Sequence, residues 1–140
     1  MQRSANTRGG FTQLDMRLTA FVLFFSIHLT PLLAEAPSLP DRDPKLACEL
    51  VEQEDALLLD VRTWWEYSAY RLSGARNIWV GVLSKRLDEV AEALGGKKDK
   101  AIVVYCTKGV RAAKAKQILQ DAGFSRVTNL GGISDWMDCR

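Results

Sequence analysis

The sequence predicts an α/β fold with a mostly parallel central sheet and helices on both faces. Short apolar runs that suit strands buried on both faces alternate with segments whose apolar residues recur at helical spacing. Glycines follow the helical segments, where helices commonly end. Alternating strands and helices are typical of a parallel sheet, because parallel strands need crossover connections that are usually helical.

The predicted strands are four runs, two of which end beside reactive side chains. They cover 56–60 (ALLLD), 76–80 (RNIWV), 101–105 (AIVVY) and 126–130 (RVTNL). The first run ends in Asp60, with Arg62 two residues later, and the third is followed by Cys106. Ligands of parallel sheets bind beyond the carboxyl ends of the strands, so these three residues mark the expected site.

The predicted helices are bounded by capping signals. The first begins with Asp43 as N-cap and Pro44 as the first helical residue. The second covers 83–94 and stops at two glycines, the third contains 115–122 and stops at one, and GGISDWMD turns into a last short helix. Four tryptophans are predicted to pack in the core or at its rim, with one of the adjacent pair partly exposed: Trp64, Trp65, Trp79 and Trp136.

The N-terminus has the pattern of a secretory signal peptide. The apolar segment 18–34 follows an arginine and ends in Ala34, which together with Ala36 has the spacing of a signal-peptidase site. This order predicts a signal peptide over 1–36, with Met16 as an alternative start, and one mature domain over 37–140. The alternative is a membrane anchor, but the run is shorter than the roughly 20 apolar residues of a spanning helix. We expect a periplasmic or secreted protein with no membrane span after cleavage.

Composition narrows the chemistry. The 140 residues carry a formal net charge of +2, too small to predict a nucleic-acid partner. The only histidine, His28, would leave with the signal peptide, and with it any Ser-His or Cys-His arrangement. The three cysteines match no zinc spacing, so we expect neither a metal nor a cofactor.

The loop after Cys106 predicts an activated thiol. It consists of Thr107, Lys108, Gly109 and Val110 and leads to Arg111 in the first turn of a helix. Free N–H groups at a helix start carry partial positive charge, a glycine permits an anion-binding turn, and the two cations add full charges. All of these favour a thiolate and would hold an anionic substrate. The alternative is an inert, buried structural cysteine.

Three stretches resemble the rhodanese family of thiosulfate sulfurtransferases. They are LLLDVRTWWEY, LSGARNI, and VVYCTKGVRAAKAKQILQDAGF with VTNLGGISDW after it, and they cover nearly all of 45–137. The resemblance implies the rhodanese-like fold, and the secreted single-domain layout is similar to the periplasmic phage-shock rhodanese of bacteria. The chain departs from the family's usual residues at Tyr70, Arg71 and Trp79 and at the tryptophan pair, which puts the pocket rim or a docking surface in doubt but not the loop.

The resemblance also implies a reaction. Cys106 would take the outer sulfur of thiosulfate as a persulfide and pass it to cyanide or to a thiol or protein dithiol. Residues 107–111 would bind the small anionic donor. Asp60 and Arg62 are supporting candidates, and the alternative for Asp60 is a strand-end carboxylate that satisfies backbone donors.

Two other functions compete with this prediction. A non-catalytic rhodanese-like binding module usually lacks the cysteine, which is present here. Phosphatases and arsenate reductases of similar fold have five residues between cysteine and arginine, whereas this chain has four. The two further cysteines, Cys48 and Cys139, could form a disulfide, or be a helix-core residue and a tail residue, or Cys139 could resolve a persulfide.

Overall fold

Four parallel strands form the sheet at the centre of the structure, a computed structural model that describes residues 38–139. Every pair of neighbouring strands is parallel, and the order across the sheet is β2-β1-β3-β4. The strands are β1 (Leu57–Asp60), β2 (Arg76–Asn77), β3 (Ile102–Cys106) and β4 (Val127–Gly132). The prediction of an α/β fold with a parallel sheet is confirmed.

Within residues 38–139, four α-helices and two short 3-10 helices connect and cover the strands. The α-helices are α1 (Pro44–Gln53), α2 (Trp64–Ala69), α3 (Leu87–Ala93) and α4 (Val110–Asp121), and the 3-10 helices are Leu83–Lys85 and Ile133–Cys139. As predicted, Asp43 caps α1, accepting a hydrogen bond from the Leu46 N–H at 3.0 Å, and Pro44 occupies the first helical position.

The sheet divides the core into two apolar layers, because alternate residues of a strand face opposite sides. Val104 and Cys106 of β3 face a layer that includes residues of α3 and α4, while Val103 and Tyr105 face the layer completed by α1. All five residues of β3 are buried, which is why its sequence is a continuous apolar run. Helices thus cover both faces, as predicted.

Two predicted elements are shorter than expected. The predicted strand 76–80 has regular pairing at two residues only, because β1 ends at Asp60; beyond it, the N–H groups of Ile78 and Val80 still donate to the carbonyls of Asp60 and Val61. The predicted helix 83–94 is broken at Arg86, whose backbone angles of φ −124° and ψ 26° are not helical.

The tryptophans are more exposed than predicted, because both members of the adjacent pair are exposed where the sequence predicted one. Trp64, Trp65 and Trp79 are 59%, 77% and 45% exposed, whereas Trp136 packs against the core. The two adjacent tryptophans open α2, a helix with no buried residue, so neither has a core to enter.

A disulfide joins Cys48 of α1 to Cys139 near the C-terminus. Their Cα atoms lie 5.7 Å apart, within the range that a disulfide requires. Cys106 is the free thiol among residues 38–139. The predicted signal peptide lies outside the described residues, and within them no helix is long and apolar enough to cross a membrane.

Candidate active site

The site forms where β3 ends and α4 begins. Cys106 is the last residue of β3, and Gly109, the N-cap of α4, has a φ of 90°, in the left-handed region that favours glycine. A three-residue loop therefore turns the chain tightly around the thiol. The sheet fixes one end of this loop, and the helix presents its free N–H groups at the other.

Backbone N–H groups converge on the sulfur of Cys106. The Gly109 N–H donates to Sγ over 3.0 Å. Burial of the thiol, which is 2% exposed, would raise its pKa, but hydrogen bonds from four backbone N–H groups outweigh burial and lower the pKa below the ordinary value. These donors belong to Ala112, Lys108, Gly109 and Arg111.

An ion pair that the sequence did not predict closes one side of the loop. Glu66 of α2 accepts two hydrogen bonds from the Arg111 guanidinium, both at 2.7 Å, and one from the Thr107 hydroxyl at 2.9 Å. Arg111 holds the pKa of Glu66 well below its usual range, and Glu66 raises that of Arg111. The guanidinium is thereby held in one orientation beside the thiol.

The sequence indicates the helix-capping role of Glu66 but not its contact with the loop. Thr63 and Glu66 form a capping box at the start of α2, in which the Glu66 carboxylate accepts from the Thr63 N–H at 3.0 Å. The pattern Thr-x-x-Glu before a helix is legible in TWWE. The same carboxylate thus starts the helix and orients the arginine of the neighbouring loop.

The loop opens onto a pocket of about 320 Å³. Lys108 is exposed at its mouth, and within residues 38–139 no carboxylate forms an ion pair with it. Five of the predicted site residues line the pocket together with Glu66: Cys106, Thr107, Lys108, Val110 and Arg111. Gly109 contributes its backbone N–H rather than a pocket wall.

Asp60 and Arg62 form a separate, buried ion pair. Arg62 donates to both carboxylate oxygens of Asp60, at 2.6 to 3.1 Å, and its backbone N–H donates to the same group at 2.9 Å. Arg62 also donates to the Tyr70 carbonyl at 2.6 Å, tying the end of β1 to the segment after α2. Neither residue lines the thiol pocket.

A second, aromatic cleft of about 580 Å³ lies beside α2. Its lining includes Thr63, Trp64 and Trp65, the three residues before Glu66, which lines the thiol pocket. Among residues 38–139 no three His, Cys, Asp or Glu side chains are grouped to bind a metal ion. The absence of a metal stays a prediction.

The comparison with protein families assigns the chain. The profile of the Rhodanese-like domain matches residues 43–139, from the α1 N-cap to the disulfide cysteine. The chain belongs to the rhodanese-like domain family. The family prediction made from the sequence is thereby confirmed.

Curated relatives of this rhodanese-like domain are larger proteins. The tRNA uridine(34) hydroxylase of Acinetobacter baylyi is 35% identical over 97 residues, which are 69% of this chain but 31% of that protein. The hydroxylase of the same name from Escherichia coli K12 is 33% identical over 88 residues, or 25% of its length. The chain therefore spans about a third or less of these relatives.

Two solved structures of similar fold align with this chain over most of their own length. A rhodanese from Escherichia coli is 32% identical with a TM-score of 0.52, over 57% of this chain and 89% of that one. The human single-domain sulfurtransferase TSTD1 is 27% identical with a TM-score of 0.58, over 75% and 98%. Both structures share the rhodanese-like fold with this chain.

Proposed function

We propose that this protein transfers a sulfane sulfur from thiosulfate, through a persulfide on Cys106, to cyanide or to a thiol acceptor. The observation that carries the proposal is the hydrogen bond from the Gly109 N–H to the Cys106 sulfur, within a turn whose backbone N–H groups lower the pKa of the thiol. They stabilise a thiolate without the help of a general base. This matters because the only histidine of the chain, His28, lies in the predicted signal peptide.

In the first half-reaction the Cys106 thiolate attacks the outer sulfur of thiosulfate. A sulfur–sulfur bond forms to Cys106, the sulfur–sulfur bond of thiosulfate breaks, and its electron pair leaves with sulfite. The product is a Cys106 persulfide anion, and the same N–H groups that stabilise the thiolate stabilise its charge. The N–H groups that lower the pKa of Cys106 favour the thiolate, so the scheme assigns no side chain as general base.

In the second half-reaction an acceptor attacks the outer sulfur of the persulfide. Cyanide becomes thiocyanate and the Cys106 thiolate is regenerated. A thiolate acceptor becomes a persulfide in the same way, which a second thiol of a dithiol protein can resolve to a disulfide and hydrosulfide. The scheme is ping-pong, and neither half needs a metal or an external oxidant.

The cations of the pocket suit an anionic donor. Lys108 carries the charge that no described carboxylate neutralises, and we assign it to the sulfonate end of thiosulfate. Arg111 is neutralised by Glu66, so its part is to fix the shape of the pocket and to add a hydrogen-bond donor beside the sulfur. Lys108→Ala should therefore raise KM for thiosulfate more than it lowers kcat.

Two assays separate this function from its competitors. Purified protein is tested with thiosulfate and cyanide and, in parallel, with an aryl phosphate ester. We expect thiocyanate formation and no phosphate release, because four residues between Cys106 and Arg111 leave less room than the phosphatase loop. Phosphate release with no thiocyanate would overturn the proposal, and inactivity in both assays would favour a binding module.

The proposal includes export to an oxidising compartment. The signal peptide predicted over 1–36 supports it, as does the Cys48–Cys139 disulfide, since such bonds persist mainly outside the reducing cytosol. Likeness to the phage-shock type stays a prediction. N-terminal sequencing of the protein recovered from the periplasm or medium should begin near residue 35 or 37; recovery of uncleaved protein only from the cytosol would contradict export.

A further inference from the structure

The residues that precede α1 lie along β4 as a strap, defined here as residues 39–42. The Arg42 N–H donates to the Asn129 carbonyl at 2.8 Å, and the Asn129 N–H donates to the Asp41 carboxylate at 2.9 Å. The strap is therefore hydrogen-bonded to the strand that lies beside the thiol loop.

Arg42 extends from the strap to the outer side of the loop. Its Nη2 donates to the Lys108 carbonyl at 3.3 Å. The guanidinium lies where a side chain of Gly109 would be, since a Cβ atom there would sit 2.8 Å from its Nη2. Arg42 itself has a φ of 57°, a backbone strain that surrounding contacts must hold in place.

The Lys108–Gly109 peptide connects this arginine to the nucleophile. In a planar trans peptide the carbonyl and the following N–H point in opposite directions. The Gly109 N–H points inward and donates to Cys106 Sγ at 3.0 Å, while the Lys108 carbonyl of the same peptide points outward to Arg42. A rotation of this peptide would break both hydrogen bonds together.

Asn129 holds the next peptide of the loop in the same manner. Its buried side chain donates to the Gly109 carbonyl at 3.1 Å and accepts from the Gly131 N–H at 2.9 Å. Because the Asn129 carbonyl also anchors the Arg42 backbone, the two residues brace one loop from β4 and the strap. The outward carbonyls of Lys108 and Gly109 therefore both have partners.

We propose that Arg42 is a positioning residue for the nucleophile: by holding the Lys108 carbonyl outward, it keeps the Gly109 N–H directed at the Cys106 sulfur. The inference rests on the proposed function only in taking Cys106 as the nucleophile. Arg42 acts through the peptide rather than on substrate, so its removal changes the ionisation of the thiol before any sulfur donor is present.

The test compares Arg42→Met with Thr128→Val. Methionine keeps much of the length and the apolar contacts of the Arg42 side chain but lacks its N–H donors. Thr128 is a matched control, because its hydroxyl donates to Pro40 of the strap at 2.6 Å and contacts no loop residue. The readout is the pH dependence of iodoacetamide alkylation of Cys106, with circular dichroism melting to confirm folding; the other two cysteines are held in the disulfide.

We expect Arg42→Met to raise the apparent pKa of Cys106 by about one unit, which slows alkylation about tenfold at a pH below both pKa values. Thr128→Val should lower the melting temperature and leave the pKa at the wild-type value. A wild-type pKa of Cys106 in the Arg42→Met variant would overturn the proposal. An equal pKa shift in the Thr128→Val variant would also overturn it, because any loosening of the strap would then be enough to change the pKa.

Two further measurements separate positioning from simple charge and from misfolding. Arg42 is exposed, so an effect of its charge alone would be screened in about 1 M salt, whereas a hydrogen-bonded peptide would not. We expect the shift to persist in high salt, and its disappearance would contradict positioning. If the Met variant does not fold, Arg42→Lys decides: a retained donor should give a pKa near wild type, and a full one-unit rise would refute the role. Alkylation needs no sulfur donor, so this outcome is independent of the sulfur-transfer assays.

Discussion

The Gly109 N–H lies 3.0 Å from the Cys106 sulfur and donates a hydrogen bond to it. This contact depends on a backbone that turns back within three residues, with a φ of 90° at Gly109. It is accompanied by donors from the first turn of α4, and together they offset the cost of burying a charged sulfur. The activating device is therefore the main chain of the loop.

A side chain at Gly109 should disable this device. In Gly109→Ala, the new Cβ would meet the Arg42 guanidinium at 2.8 Å and the Gly131 Cα at 3.1 Å, and the φ of 90° would be strained. We expect alkylation of Cys106 and thiocyanate formation to fall at least tenfold at neutral pH. Gly96→Ala is the control, with a φ of 77° and nothing within 4 Å of its Cβ; it should retain both activities. Equal losses in the two variants would contradict the role of the loop.

The Glu66–Arg111 pair should make stability depend on pH. The folded state lowers the pKa of Glu66, so the stabilisation is fully present above the unfolded pKa of about 4.3 and is lost progressively as the pH falls from there through the much lower pKa of the folded state. Glu66→Gln should therefore melt several degrees lower than wild type at pH 7, and the difference should become smaller, without vanishing, at pH 3. Melting curves across this range measure it.

Glu54→Gln serves as the control for a single surface ion pair. Glu54 pairs with Arg126 at 2.8 Å, with about half of its side chain exposed and no contact with the loop. We expect a smaller loss at neutral pH than for Glu66→Gln. A Glu66→Gln difference that is the same at pH 7 and pH 3 would show that the ion pair does not stabilise the folded protein.

The buried Asp60–Arg62 pair should matter for stability first. Asp60→Asn would leave the guanidinium of Arg62, which is 5% exposed, without its counter-charge, at a cost of about 3–5 kcal/mol. Urea denaturation measures this loss. The control, Asp55→Asn, breaks a pair with Lys100 in which Asp55 is 96% exposed, and should cost less than about 1 kcal/mol. A folded Asp60→Asn protein with wild-type stability and no sulfur transfer would instead place Asp60 in the reaction.

The disulfide should stabilise the fold without taking part in transfer. It joins cysteines 91 residues apart, and replacing both with serine should cost about 2–4 kcal/mol in urea denaturation. Thiocyanate formation by the folded double variant should be unchanged, because Cys106 is free in either protein. Free thiols at both positions in the non-reduced wild type, seen by mass spectrometry, would contradict the bond; a loss of activity with Cys139 alone replaced would revive its resolving role.

The sequence predicts those features whose cause is local. Continuous apolar runs predict β1 and β3, a capping residue predicts α1, and a thiol between a buried strand and a cationic glycine loop predicts the site. The lengths of β2 and of the helix near Arg86 were not predictable, since they depend on where β1 ends and on backbone angles that no residue pattern dictates.

The parts of the site that the sequence did not show come from distant segments. Glu66 is 45 residues from Arg111, and Arg42 is 66 residues from Lys108. Each has a satisfactory local interpretation, as a helix cap and as a polar residue of a linker, so nothing in one sequence connects them to the thiol. The exposure of Trp64 and Trp65 was underestimated for a related reason. Aromatic residues suggest burial in a core, but the six-residue helix α2 lies at the surface and has no buried residue.

The central claim is tested most directly by the mass of the protein after incubation with thiosulfate alone. One molar equivalent of sulfite should appear, and Cys106 should gain about 32 Da, the mass of one sulfur atom, which cyanide then removes as thiocyanate. Cys106→Ser should fold and release no sulfite. A wild-type protein that gains no sulfur on Cys106, or a serine variant that still forms thiocyanate at the wild-type rate, would contradict the account.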